Sequence, residues 1–167
     1  MRNLPAPEDD GAADALPGAA VPDWLPRADT LVAFVYPMTG TPGRALPRGW
    51  KEIPGAFGCT AQSCAFRDLH DELTALGASV VGVTAQPAEE QREFAARERI
   101  PYPLVSDPDL RLAAEIGLPT FEVEGRRLYR RLTFVARGAR IEKIFYPVFP
   151  PDRNAADVAD WLRANPA

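Results

Sequence analysis

No stretch of this 167-residue sequence approaches the roughly 20 consecutive apolar residues needed to span a bilayer, so no membrane-spanning helix is expected. Its start, Met1-Arg2-Asn3-Leu4-Pro5-Ala6-Pro7-Glu8-Asp9-Asp10, lacks the apolar core of a secretory signal, which points to a cytoplasmic chain. Lys and Arg form no run interleaved with aromatics and the net charge is -4, so a nucleic-acid surface is not expected. Histidine occurs once, at His70, and the two cysteines have a spacing unlike a zinc knuckle; neither a metal nor an organic cofactor is expected. There is no internal repeat.

What is present is the composition of a single soluble core, 46% hydrophobic and 25% charged, with 18 prolines at about twice their usual share. The prolines cluster and so mark loops. A chain this long buries enough surface to fold without staples. Two cysteines in a reducing compartment are therefore read as catalytic or metal-binding before they are read as a structural bridge.

Residues 1–28, rich in Pro, Ala and Asp without periodicity, form an irregular arm laid over the domain or partly disordered, with Trp24 and Leu25 as its docking end. The domain proper is 29–167. Thr30 to Tyr36 is a continuous apolar and β-branched run, the pattern of a central strand buried on both faces. Residues 37–58 hold five Gly and four Pro, a long loop of the kind usually kept for function. From Thr60, Phe66, Leu69, Leu73 and Leu76 recur at helical spacing up to Gly77. A strand at 79–85, a helix at 88–99, a short strand at 103–106 and a helix at 109–117 follow. Strands at 132–136 and 141–146 flank Arg137-Gly138-Ala139-Arg140 as a hairpin, and Asp152 or Asn154 can cap a last helix ending near Ala164. Alternating strands and helices followed by a hairpin imply an α/β, thioredoxin-like fold: a central mixed β-sheet flanked by helices.

Cys59 ends the Gly-rich loop and stands at the first turn of the helix. Free N–H groups and the helix dipole there favour thiolate over thiol, which suits a nucleophile. Cys64 follows five residues later. In an intact helix that offset turns the side chain by about 140° and sets the Cα atoms roughly 8 Å apart, beyond disulfide reach. The pair can bridge only when this turn unwinds, as in a cycle where Cys59 is oxidised to sulfenic acid and Cys64 then attacks it.

The segment Gly58-Cys59-Thr60-Ala61-Gln62-Ser63-Cys64-Ala65-Phe66-Arg67-Asp68 resembles the G-C-T-x-x-x-C-x-F-R-D segment of the peroxiredoxin Q group, also called bacterioferritin comigratory proteins. Phe34-Val35-Tyr36-Pro37, Val80-Val81-Gly82-Val83-Thr84, Pro103 to Pro108 and Arg131-Leu132-Thr133-Phe134 resemble further segments of that family, over residues 30–164. The resemblance implies a peroxidatic Cys59, a resolving Cys64 and an Arg131 that holds the thiolate. It also implies a peroxide substrate, hydrogen peroxide or an organic hydroperoxide, and thioredoxin or a similar dithiol as reductant. The expected assembly is a monomer or weak dimer. Strand alternation lets only one of Arg130 and Arg131 face the site.

The sequence departs from the family between Gly43 and Cys59, where Arg44 to Gly58 intervene as a fifteen-residue insertion. The family's thiolate-binding threonine then has to come from Thr41 across a folded-back loop, with Thr39 second; the pocket-forming Pro37 precedes the insertion. Trp50 and Ile53 suit an ordered lid that alters substrate access or docks a reductant, or else a tolerated surface insertion. His70 is read as a solvated helix residue, and Arg67 and Asp68 as braces of the helix. The alternative to an enzyme is a redox-responsive interaction protein that keeps the fold with little peroxidase turnover.

Overall fold

The central sheet is built around one strand whose six side chains are all buried. In the computed structural model, which describes residues 3–167, the elements in chain order are β1 (Thr30–Val35), α1 (Cys59–Asp68), α2 (His70–Ala75), β2 (Ser79–Thr84), α3 (Ala88–Glu98), β3 (Leu104–Ser106), α4 (Arg111–Ile116), β4 (Thr120–Val123), β5 (Arg126–Tyr129), β6 (Leu132–Arg137), β7 (Arg140–Phe145) and α5 (Asn154–Ala164). The assignment of Met1 and Arg2 to the arm lies outside the described residues. The sheet order is β3-β2-β1-β6-β7, with β1, β2 and β3 parallel and β6 and β7 antiparallel, the mixed sheet expected from the element order.

Strand alternation divides the core into two halves. Val32, Phe34 and Tyr36 face α1, α2 and α5, packing with Cys59, Phe66, Leu73 and Leu162. Leu31, Ala33 and Val35 face the opposite layer, which holds Trp50, Leu112, Leu128 and the arm residues Leu16 and Leu25. Gly82 on β2 lets the first half close. A Cβ there would lie 2.6 Å from Leu104 Cδ2 and 3.0 Å from the Phe34 ring, so no larger residue fits without displacement.

Four local expectations change. The helix expected from Thr60 to Leu76 begins at Cys59 and kinks at Leu69 (φ -98, ψ 8), where neither Gly nor Pro gave warning; its buried face, Phe66 and Leu73, is the expected one. Residues 118–131, which had no assigned element, contain the hairpin β4–β5, turning at Glu124 and Gly125 with φ 48 and 73. The alternation of Thr120 to Val123 was available as a signal, but arginines masked the second strand. Asn154 caps nothing and Asp152 lies in a preceding 3-10 turn, since α5 starts without a side-chain cap. The described part of the arm docks well before Trp24: Ala13 and Leu16 are buried, and Ala20 pairs with Arg140 at the sheet edge.

Candidate active site

Gly58 takes φ 115, a conformation that L side chains rarely adopt, and so turns the incoming loop into α1 with Cys59 as its first residue. Cys59 is 2% exposed. Its Sγ accepts the Met38 backbone N–H at 3.4 Å and Arg131 Nη2 at 3.2 Å; as a thiol it can donate to Ala56 O at 3.7 Å. Two N–H donors, one carrying a full charge, thus converge on a sulfur that stands at the start of a helix.

Arg131 is 4% exposed, an unusual place for a guanidinium without a carboxylate. It reaches four acceptors: Gly55 O from Nε at 3.3 Å, Ala56 O from Nη2 at 3.0 Å, Gln62 Oε1 from Nη1 at 2.6 Å and the Cys59 sulfur. Three are neutral oxygens. The sulfur is the only one of the four that can carry the compensating negative charge. Gln62 is itself aimed by Asn154, whose Oδ1 accepts Gln62 Nε2 at 2.9 Å and Thr133 Oγ1 at 2.6 Å. Gln62, Thr133 and Asn154 are all buried, so α1, β6 and α5 jointly fix the guanidinium. Arg130 and Arg131 lie in the link between β5 and β6 and not in a strand, and only Arg131 meets the sulfur; half-buried Arg130 lies over the Phe121 ring at 5.6 Å.

The inserted segment builds this site. Trp50, 3% exposed, anchors it against Phe121 of β4, ring centroids 6.1 Å apart. From that anchor the chain returns through Ile53 to Gly55 and Ala56, whose carbonyls seat Arg131. A merely tolerated surface loop would not bury an indole and then supply two ligands to a buried cation.

Pro37 lies beside Gly55, Ala56 and Arg131 in the lining of a cavity of about 370 Å³. Thr41 does not join them. Its carbonyl accepts the Arg44 N–H at 3.1 Å in the turn that starts the insertion, and it lines a separate cavity with Arg44 and Glu90, so the chain has left the site before its hydroxyl could meet the sulfur. Thr39, the second choice, is buried but turned to Gln86 and Gln91: its N–H and hydroxyl donate to Gln86 Oε1 at 2.8 and 3.2 Å. That clamp holds the backbone beside Met38, whose N–H occupies the donor position expected of a threonine. Sequence reasoning missed Met38, Gln62 and Asn154. The placement of Gln62 three residues after Cys59 was a usable signal; a backbone donor and a partner ninety-two residues from Gln62 left none.

Cys64 is half-buried on α1 and free, as is Cys59. With α1 intact the two are about 8 Å apart by helix geometry. Cys64 Sγ donates to Glu98 Oε2 at 3.5 Å, and Arg67 binds the Glu98 carbonyl at 2.7 Å. Burial, opposed by Arg67 and reinforced by Glu98, raises the Cys64 thiol above its ordinary value, so in this conformation it keeps its proton. Arg67 pairs with Asp68 at 3.0 Å and with the Glu98 carboxylate of α3 at 3.6 Å, and His70 sits 5.9 Å from the Tyr102 ring. Among the described residues no group of three or more His, Cys, Asp or Glu is placed to hold a metal, and no helix is long and apolar enough to cross a membrane.

Residues 53–141 match the AhpC/TSA family. A curated candidate peroxiredoxin of Mycobacterium tuberculosis is 33% identical over 150 residues, covering 84% of this chain and 97% of its own length. Peroxiredoxin Q of Gentiana triflora, a chloroplastic protein, is 26% identical over 138 residues, 83% of this chain. The chain spans 56% of that relative and 54% of the Arabidopsis thaliana one, so only about half of these longer proteins is represented. Among solved structures, peroxidoxin BcpB of Mycobacterium tuberculosis superposes with a TM-score of 0.71 at 29% identity, covering 90% of this chain and 98% of the other. Xanthomonas campestris peroxiredoxin Q gives 0.65 at 24% identity, over 84% and 81% of the two chains, a likeness of fold. The expected thioredoxin-like fold is the one found.

Proposed function

Because the chain belongs to the AhpC/TSA family and is peroxiredoxin Q-like, we propose that it is a thiol-dependent peroxidase in which Cys59 is the peroxidatic residue, Cys64 the resolving residue and Arg131 the thiolate holder. The observation that carries this reading is the buried Arg131 guanidinium 3.2 Å from a Cys59 sulfur at a helix start, with every other partner neutral. Pro37 shapes the approach, and Thr41 stands outside the site.

The Cys59 thiolate attacks the terminal oxygen of R–O–O–H. A sulfur–oxygen bond forms and the O–O bond breaks; the departing RO⁻ takes a proton and leaves as an alcohol, or as water when R is hydrogen. Arg131 Nη2 and the Met38 N–H face the point where negative charge moves from sulfur to oxygen, where fixed donors are most effective. Cys59 is now a sulfenic acid. Local unwinding of α1 brings Cys64, as thiolate, onto that sulfur; the S–S bond forms and hydroxide leaves as water after protonation. A dithiol reductant, thioredoxin or a protein like it, returns both cysteines to thiols by exchange. We place this chemistry in the cytoplasm, on a monomer or weak dimer. The reading as an interaction protein with little turnover finds no support among the relatives.

Peroxide consumption with a dithiol reductant tests the proposal. Cys59→Ser is expected to fall to the uncatalysed background, and normal turnover by that variant removes Cys59 from its role. Peroxide-treated wild type is expected to hold an intramolecular disulfide, and its absence removes Cys64.

A further inference from the structure

The arm and the segment leading into Cys59 meet at one place, the cavity beside Arg131. The insertion supplies Gly55 and Ala56, and the arm supplies Pro7, Glu8 and Asp10. Pro7 packs on Gly55 so closely that a Cβ on that glycine would lie 3.3 Å from the proline ring. The Tyr146 hydroxyl, with burial pushing its proton affinity up to about 12, donates to Asp10 Oδ1 at 2.9 Å and ties the arm to the segment after β7. Asp10 is held below the ordinary carboxylate range by the Ala12 N–H and then by Tyr146, so it is charged at neutral pH.

The cavity, about 370 Å³, is far larger than hydrogen peroxide needs, since a water-sized molecule fills roughly 30 Å³. It therefore has room for the organic part of a hydroperoxide. Two cations line it, Arg130 and Arg131, and Arg131 is committed to the Cys59 sulfur. Arg130 is the cation left to attract a negatively charged substituent, and Glu8 and Asp10 stand in the same lining with two negative charges against it. Both carboxylates belong to the arm.

We propose that the arm forms the charge-selecting wall of the substrate cavity: Glu8 and Asp10 make the enzyme favour uncharged hydroperoxides over those bearing a carboxylate. The proposal rests on the peroxidase reading and adds the residues that set its selectivity. Like-charge repulsion acts on an anionic tail during entry, while an uncharged peroxide of the same shape does not feel it.

The test compares cumene hydroperoxide with its para-carboxylate, two probes alike in shape and reacting group. The readout is the ratio of kcat/KM for the anionic probe to that for the neutral one, in full-length protein. In Glu8→Gln/Asp10→Asn, whose side chains keep their size, the ratio is expected to rise roughly three- to tenfold at low salt and to shrink back toward wild type at high salt. Asp109→Asn, which removes an exposed carboxylate ahead of α4, is expected to leave the ratio where it was. An unchanged ratio in the double variant, or an equal rise in Asp109→Asn, overturns the wall while leaving the peroxidase reading in place. Failure of wild type to consume either probe or hydrogen peroxide overturns both.

Discussion

Cys59 and Cys64 share one helix, yet their surroundings are opposite in kind. Cys59 is sealed at the first position of α1 among donors: the Met38 N–H, the Arg131 guanidinium and the free amides of the helix start. Cys64, five residues on, is half-exposed and faces an acceptor, the Glu98 carboxylate. Donors surround the first sulfur, while burial and an acceptor keep the second protonated. The difference shows how one helix can hold two thiols in unlike surroundings: N–H donors converge on Cys59, while burial and the Glu98 carboxylate keep the proton on Cys64. Identity of residue type decides nothing here; the donors and acceptors around each sulfur decide it.

The largest expected way to break the contrast is to remove the cation. Arg131→Met leaves the Cys59 sulfur with one backbone donor and is expected to lower kcat/KM for hydrogen peroxide by about a hundred- to a thousandfold, measured by stopped-flow. Arg131→Lys keeps a charge but cannot serve Gln62, Ala56 and the sulfur together, so it recovers only part of the loss. Next in size is the anchor of the insertion. Trp50→Ala removes a buried indole packed on Phe121 and is expected to cost about 3–5 kcal/mol in denaturant unfolding, with slower turnover because the carbonyls that seat Arg131 lose their support.

Smaller effects sharpen the Cys64 side. Glu98→Gln keeps an acceptor oxygen but removes the negative charge that helps keep Cys64 protonated, so disulfide formation after a peroxide pulse is expected to quicken; burial, the larger cause, remains. The same thiol gives a pH dependence. Because the folded conformation holds its proton more tightly than the open one, this contribution to keeping α1 closed is full below the free-thiol range near about pH 8.5. It is lost as pH rises through the higher value of the closed state. Disulfide formation is therefore expected to accelerate on the alkaline side, followed by rapid quench and thiol counting, and less so in Glu98→Gln.

The mixed sheet, the central place of β1 and the position of Cys59 at a helix start were legible because each rests on local pattern: a buried run at 30–36, helical spacing of Phe66 and Leu73, and a Gly-rich loop ahead of the cysteine. Arg131 was legible through family resemblance. The site's third donor was not, because a motif reads side chains and the donor is the Met38 backbone, aimed by Gln86 through Thr39. Thr41 was misplaced for the same reason: the insertion redirects the chain at Arg44, and only the folded path shows which donor takes its place. Asn154 was read as a cap because Asn before a helix often is one, whereas its buried amide is used across the fold to hold Gln62.

Cys59, and not Cys64, is the sulfur proposed to meet peroxide first. In Cys64→Ser, which cannot close the disulfide, one equivalent of hydrogen peroxide followed by peptide mass analysis is expected to place a single added oxygen on Cys59. A Cys59 left unoxidised under those conditions, in a folded protein, would contradict that proposal.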